Sequence, residues 1–479
     1  MKNPKIFFIV IFALFIGLLQ SCGIKAEKPT NSYVPAPKNI IFFIGDGMGF
    51  NHVLAANLFQ EGAADAQLYE QKGWTILAHA TYPAMTHNTE TEKFFSHGYN
   101  PRLAWTDPEN LKRGATDSGA GGTALSTGVK TYNKSIGIGV TGDTLTHISQ
   151  VAKNLGKSVG IVTSVQISHA TPASFSAHNI DRQNYVEIAR YQLFNTRVDL
   201  IFGAGHPDFN NNGQPSQNND RYVGGRELWN QLVRNEGKTS FEVDGKTHKV
   251  LDSSGDGKPN PWTVVQTREE FKALGTGKTP PRVLGVAQVN STLNQARTQV
   301  DGETLPFDSP LNKSVPTLEE LTRASLNVLS QNPKGFFVMI EGGAIDWAGH
   351  DNNLPRIIEE QIDLNNSIRA AIEWVEKYSS WDETLIILTS DHETGYLTGP
   401  GFPGDISSKV ENAGKGKLPV HKFNSGAHTN MLVPFYARGR GQEIFELLAG
   451  EKDPVFGRYM QNVQIPQAIF LMWGSQKER

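Results

Sequence analysis

Five short apolar runs constrain this chain more than anything else in it: 39–44, 158–163, 199–202, 335–340 and 384–388. They are continuous rather than alternating, so each reads as a strand buried on both faces, as in a parallel sheet. A sixth run, 431–437, has the same character. There Pro434 argues for an edge or irregular position, because proline brings no N–H to a ladder. Helical patterns lie between the runs. In 317–330, Thr317 and Glu320 have the spacing of a capping box. Strands alternating with helices imply an α/β fold with a mostly parallel central sheet and helices on both faces. Ligands in such folds gather at the carboxyl ends of the strands, so the residues that close each run are where chemistry is expected.

With 479 residues, 38% of them hydrophobic, the chain can hold several small domains or one large elaborated one. Its net charge of -3 and lack of any long basic run point away from nucleic acid and from an anionic bilayer surface as partners. The first residues read as a targeting segment. Lys2 and Lys5 precede an almost unbroken apolar run over 6–19, too short for a comfortable membrane span and suited to a signal peptide. It ends in Leu19-Gln20-Ser21-Cys22-Gly23, which resembles the lipobox of bacterial lipoproteins. Cys22 is the sole cysteine, so no disulfide forms within the chain, and the one thiol stands where lipidation needs it. The expected organisation is a leader over 1–21, a flexible tether over 22–38 and a catalytic domain over 39–479. Loop-like elaborations near 207–258 and 399–425 could form a crown or lid. Within the first, the stretch from Asp252 to Asp256 reads as a solvated turn rather than a calcium site.

The chemistry lies in the segments that close the runs. Gly45-Asp46-Gly47 comes directly after the first, and its glycines let the backbone turn sharply to present Asp46. Alone, such a turn equally suits a nucleotide phosphate or a helix-capping Asp. Ser118 sits in a stretch of small residues from Thr116 to Ala124, after Asp117. At a helix start it would share a bound anion with backbone N–H groups and the positive dipole end. No Gly-x-Ser-x-Gly elbow surrounds it, which leaves a metal ion as its activator. By itself the stretch reads as readily as a packing surface. Asp346 and His350, spaced i, i+4, share one helical face and suit zinc, while Glu341 suits a harder ion such as magnesium. Asp391 and His392 close the 384–388 run and can reach one metal; His428 precedes the last run.

In this order the segments resemble the alkaline phosphatase family over roughly the whole chain beyond the tether. The resemblance implies a phosphoric monoester hydrolase working through a phosphoserine on Ser118, with two zinc ions and one magnesium ion. By it, Asp346, His350 and His428 bind one zinc, and Asp46, Asp391 and His392 the other. Asp46 also reaches the magnesium, with Thr171 and Glu341. One zinc would favour the serine alkoxide, and the other would stabilise the leaving oxygen. Arg182, in Asp181-Arg182-Gln183, matches the phosphate-gripping arginine. His169 and Trp347 stand at two positions that vary in the family, and this pair implies weaker or water-mediated phosphate contacts. Gly119 after the serine and Asn430 after His428-Thr429 depart from the usual pattern without touching the reacting groups.

Related diesterases and phosphonate hydrolases share the scaffold, but Arg182 and the full magnesium set favour a monoester dianion. A sulfatase lacks support because its Cys/Ser-x-Pro-x-Arg motif is absent around Ser118. A phosphate-binding lipoprotein without activity would be expected to have lost a ligand, and every ligand is present. The expected location is exported, periplasmic or cell-surface, held to the membrane by a lipid on Cys22. Homodimers are common in the family, though no interface signature stands out.

Overall fold

The computed structural model describes residues 35–474 except 85, 89–92, 96, 235–236 and 404–407. The expected leader, Cys22 and the tether up to residue 34 lie outside the described residues.

Eleven strands form one sheet. In chain order they are β1 (Asn39–Gly45), β2 (Thr75–Ala80), β3 (Ser158–Gln166), β4 (Leu200–Ala204), β5 (Thr263–Val265) and β6 (Val283–Val286), followed by β7 (Phe336–Gly342), β8 (Thr384–Thr389), β9 (Val433–Gly439), β10 (Glu451–Asp453) and β11 (Gly457–Gln461). Their order across the sheet is β10-β11-β2-β9-β8-β1-β7-β3-β4-β6-β5. The seven neighbours from β8 to β5 all run parallel. The mostly parallel α/β fold expected from the apolar runs is therefore the fold observed.

β1 explains why such runs need two covered faces. All seven of its residues are buried. Ile41 and Phe43 join the cluster that contains Val53, Leu326, Ile357 and Leu364 from helices α1 (Phe50–Glu61), α4 (Leu318–Leu329) and α6 (Leu354–Tyr378). Phe42 points the other way, edge-on to Phe175 with ring centroids 5.8 Å apart, just beyond the short helix α3 (Ala170–Ser174). Thr317 caps α4 as expected: its side chain accepts from Glu320 N at 3.2 Å while Glu320 Oε2 accepts from Thr317 N at 3.1 Å.

Two expectations need correcting. Pro434 is not on an edge, because β9 pairs with β8 on one side and β2 on the other. The β8 ladder begins only at Tyr436, and the Pro434 carbonyl accepts from Thr389 Oγ1 at 2.8 Å, so the missing N–H interrupts no pairing. The stretch 207–258 is not simply loop: it holds a helix, Arg226–Arg234, and a hairpin of Ser240–Val243 with Lys246–Lys249. Its Asn- and Gly-rich ends concealed the apolar stripe of Leu228, Trp229 and Leu232 that buries this helix. The turn at Asp252 is as expected, with its carboxylate accepting from Gly255 N and Gly257 N.

Helix α2 (Ser118–Thr127) packs directly on α3, and every residue of it is buried. The approach depends on Gly122, where a Cβ would collide with the Ser174 hydroxyl. That hydroxyl donates to the Thr171 carbonyl at 2.8 Å. Gly122→Val should lower stability by about 1–3 kcal/mol, the ordinary cost of overpacking a tight interior. A fall in Tm by thermal denaturation is the expected result, and an unchanged Tm would show that α3 yields freely.

Candidate active site

Four strands adjacent in the sheet, β8, β1, β7 and β3, end side by side. Neighbouring strands lie about 4.8 Å apart, so their carboxyl ends fall within about 15 Å of one another. Every candidate catalytic, phosphate-binding or metal-ligating residue named from the sequence comes from this edge or from a segment that folds onto it. β1 delivers Asp46. Gly47 then takes φ +74°, and a Cβ there would lie 2.8 Å from both Asp346 Cα and Thr394 Oγ1. β8 delivers Asp391 and His392, and β7 delivers Glu341. The helix after β7, α5 (Ala344–His350), carries Asp346 and His350 one turn apart. β3 leads to His169 and to Thr171 in α3.

The ligand atoms fall into groups. Those of Asp346, His350 and His428 all lie within 4.8 Å of one another, as do those of Asp46, Asp391 and His392. Asp346 Oδ1 is 3.5 Å from His350 Nε2 and 3.3 Å from His428 Nε2, and accepts from Thr394 Oγ1 at 2.5 Å. The two Nε2 atoms are 3.1 Å apart. Each ring has its Nδ1 2.8 Å from a carbonyl, that of Gly426 for His350 and of Thr116 for His428. A carbonyl only accepts, so both Nδ1 atoms carry hydrogen and both Nε2 atoms aim at one point, the arrangement a metal exploits. In the second group His392 Nε2 lies 3.4 Å from Asp46 Oδ1 and 3.3 Å from Asp391 Oδ2. Thr171 Oγ1 donates to Asp46 Oδ2 at 3.3 Å, and Glu341 accepts from Thr163 Oγ1, which sets an all-oxygen group beside the second.

Electrostatics favour cations here. Asp46 Oδ1, Asp391 Oδ2 and Glu341 Oε1 are buried without a hydrogen-bond partner. Burial, then repulsion from Asp391, Asp346 and Glu341, pushes Asp46 well above the usual carboxylate range. Burial likewise raises Glu341 to about 7 and Asp391 to about 6. Burial works against a charged His428, yet the Asp346 carboxylate pushes it up to about 9. The residues present therefore fit divalent ions: orphaned carboxylate oxygens, converging imidazole nitrogens and a net demand for positive charge.

Ser118 lies against the second group, with Oγ 3.3 Å from His392 Nε2. It is the first residue of α2. Asp117 caps that helix by accepting from Ala120 N at 3.0 Å, and the same carboxylate accepts from Arg182 Nη1 at 3.0 Å. Burial opposes ionisation of Asp117, but Arg182 and the backbone N–H groups hold it below the usual range. One carboxylate thus fixes both the serine helix and the guanidinium. Ser118 and Arg182 open onto a cavity of about 660 Å³ whose wall includes His169 and Trp347, with ring centroids 5.7 Å apart.

Sequence reasoning missed several contributors. Asp117 was readable as a helix cap but not as the anchor of Arg182, 65 residues away. Thr163 and Thr394, which orient carboxylates, carry no motif. Neither 207–258 nor 399–425 supplies a described residue to the cavity wall; Gln295 and Ala296 stand there instead, from a long irregular segment without any signature, together with Asp351.

A sequence model of the family described as alkaline phosphatase matches residues 37–444. Alkaline phosphatase 4 of Bacillus subtilis (strain 168) is 30% identical over 402 residues, which span 80% of this chain and 67% of that protein. The structure of alkaline phosphatase from the Antarctic bacterium TAB5 overlays with a TM-score of 0.60 at 23% identity, covering 92% of this chain and 100% of that one. A mutant of the TAB5 enzyme with Mg bound in the M3 site overlays with a TM-score of 0.58 at 23% identity, covering 93% and 100%. At that identity the overlays speak for the fold. The family match takes in every strand end that builds the site, so the chain belongs to the alkaline phosphatase family and is a phosphoric monoester hydrolase.

Proposed function

We propose that hydrolysis proceeds through a phosphoserine on Ser118, with two zinc ions and one magnesium ion as cofactors. The observation that carries this reading is the position of Ser118 Oγ, 3.3 Å from His392 Nε2 at the start of a ten-residue helix. Asp346, His350 and His428, one carboxylate and two imidazoles, suit zinc. Asp46, Asp391 and His392 would hold the second zinc. Asp46, Thr171 and Glu341 offer only oxygen, the preference of magnesium. The Mg in the TAB5 mutant structure supports a magnesium-dependent member of the family. Bound there, the ions would supply Lewis acidity, lowering the pKa of the serine hydroxyl and offsetting charge on the leaving oxygen.

The chain's own groups account for the rest. Ser118 Oγ gives up its proton and attacks phosphorus in line. The bond from phosphorus to the ester oxygen breaks, and the alcohol departs with a proton. Water then attacks the phosphoserine, restoring the hydroxyl and releasing inorganic phosphate. Arg182 offers a planar fork to the phosphoryl oxygens. Asp117 holds its Nη1, so the guanidinium waits in place rather than being ordered during the reaction. The start of α2 adds backbone N–H groups and the positive end of the helix dipole.

Location is part of the same proposal: the chain is exported and held at the membrane by a lipid on Cys22. The basic Lys2 and Lys5, the apolar run over 6–19 and the sole cysteine support it.

Three outcomes are expected. Ser118→Ala should lower turnover of a chromogenic monoester by ~10³-fold or more while metal content stays unchanged; turnover equal to wild type would remove Ser118 as nucleophile. Dialysis against a chelator should abolish activity, and metal analysis should find that zinc and magnesium together restore it better than either alone. Cys22→Ser should move the protein from the membrane fraction to the soluble fraction without changing its specific activity, and continued sedimentation with membranes would argue against the lipid.

A further inference from the structure

The end of the sheet opposite the active site has a regularity of its own. Five strands that are neighbours in the order β1-β7-β3-β4-β6 are each entered from a cation: Lys38, Lys334, Lys157, Arg197 and Arg282, none more than three residues before its strand. We propose that this face docks on an anionic bilayer surface, so that the active site at the carboxyl ends looks away from the membrane. The proposal rests on the reading of Cys22 as the lipid-bearing residue.

The chain itself enters the domain at this face. The Trp473 indole N–H donates to Pro37 O at 3.0 Å, and Lys157 Nζ donates to the carbonyls of Lys38 at 2.8 Å and Lys334 at 2.9 Å. Cys22 stands fourteen residues before Ala36. Such a stretch reaches at most about 50 Å. A lipid on Cys22 therefore holds the domain by this end and confines it near the bilayer. The site lies at the other end of β1, whose seven residues separate the two faces by about 20 Å.

A net charge of -3 without a basic run points away from an anionic bilayer, but the sheet gathers distant cations into one surface. A cavity of about 770 Å³ at this end has Lys153, Arg197, Lys278 and Lys334 in its wall against one carboxylate, Asp199, which Lys153 pairs with at 2.7 Å. Asp252 and Asp256 in the adjoining turn, and Asp382 and Glu383 before β8, lie outside that wall, with Glu383 3.7 Å from Lys38. The cations sit close enough to act on one another. Burial, and then Lys38, lowers Lys157 to about 8. Burial also lowers Lys153 against the pull of Asp199, and Arg197 and Arg282 push the same way. Complementing a helix dipole accounts for Lys153, in the last turn of the helix Ile148–Asn154. That effect fades within a turn, and Lys278, Arg282 and Lys334 stand farther beyond the helices that precede them.

Leucines are exposed among these cations. Leu155, between Lys153 and Lys157, is 41% exposed, and Leu471, two residues before Trp473, is 49% exposed. Leu251 is 38% exposed, and its carbonyl accepts from Arg282 Nη1 at 3.2 Å. Exposed apolar side chains interspersed with lysine and arginine suit the headgroup level of an anionic membrane, where both kinds of group gain.

The test uses the lipidated full chain on vesicles of phosphatidylcholine, with or without phosphatidylglycerol. Once Cys22 carries its lipid, an introduced cysteine is the one free thiol, so a fluorophore can be attached through Ser254→Cys on this face. A second labelled chain carries Ile180→Cys, at a 67% exposed position two residues before Arg182 on the active-site side. Nitroxide headgroup lipid should quench the label at residue 254 about twofold more when phosphatidylglycerol is present, and the label at residue 180 equally in both vesicles. Lys278→Glu combined with Lys334→Glu should abolish the difference while turnover of a soluble monoester stays unchanged, and high salt should abolish it in the wild type. Equal quenching at the two positions, no dependence on phosphatidylglycerol, or a difference that survives both charge reversals would each overturn the docking. Failure to float with neutral vesicles would overturn the lipid on Cys22, and the docked orientation with it. Flotation without any difference between vesicles would leave the lipid in place and remove the docking alone.

Discussion

Four carboxylates, those of Asp46, Glu341, Asp346 and Asp391, are buried together where β1, β7 and β8 end. Ligand oxygens of Asp46 and Asp391 lie within 4.8 Å of each other. Two unit charges at that separation repel by about 3–4 kcal/mol in an effective dielectric of about 20. A few such pairs rival the ~5–15 kcal/mol by which a whole domain is stable. The chain tolerates the cluster because part of the charge is withheld or compensated: Glu341 and Asp391 are shifted towards neutrality, and His428 is drawn towards its cationic form beside Asp346. Divalent ions relieve the same repulsion more completely. Metal binding and the stability of this edge are therefore one problem rather than two.

The remainder of the fold keeps that edge from relaxing. β1 is flanked by parallel strands on both sides and covered on both faces, so Asp46 has no freedom to retreat. Hydroxyls of Thr394, Thr163 and Thr171 hold carboxylate oxygens of Asp346, Glu341 and Asp46. Carbonyls of Gly426 and Thr116 accept from Nδ1 of His350 and His428 and fix the orientation of both rings. Asp117 ties the serine helix to Arg182 in the same manner. Reactive groups held this firmly need little reorganisation when charge moves, which is where catalytic sites gain most.

Much of this was legible in the residues. A short continuous apolar run closed by glycine or a polar turn reads as a strand covered on both faces, so the parallel sheet followed from 39–44, 335–340 and 384–388 alone. Asp346 and His350 declared themselves by a spacing of four. The strands β2, β5 and β6 were not legible, because His79 breaks the apolar run of Thr75–Ala80, while Thr263–Val265 and Val283–Val286 offer only three and four residues. Pro434 stands at the irregular place that was the alternative to an edge, since the β8 ladder starts only at Tyr436 and no ladder bond is lost. The helix Arg226–Arg234 was hidden by polar neighbours whose composition resembles a loop.

By itself the sequence determined the fold class, the strand ends where ligands stand and the chemical types of those ligands, because burial, periodicity and donor chemistry are properties of local residue order. Tertiary structure alone decided how closely the candidate ligand atoms approach one another, that Asp117 serves both the serine helix and Arg182, and that Gln295 stands in the cavity wall. Those pairings join residues tens to hundreds of positions apart. Strand order brings them together, and strand order is a global outcome of packing that no short motif encodes.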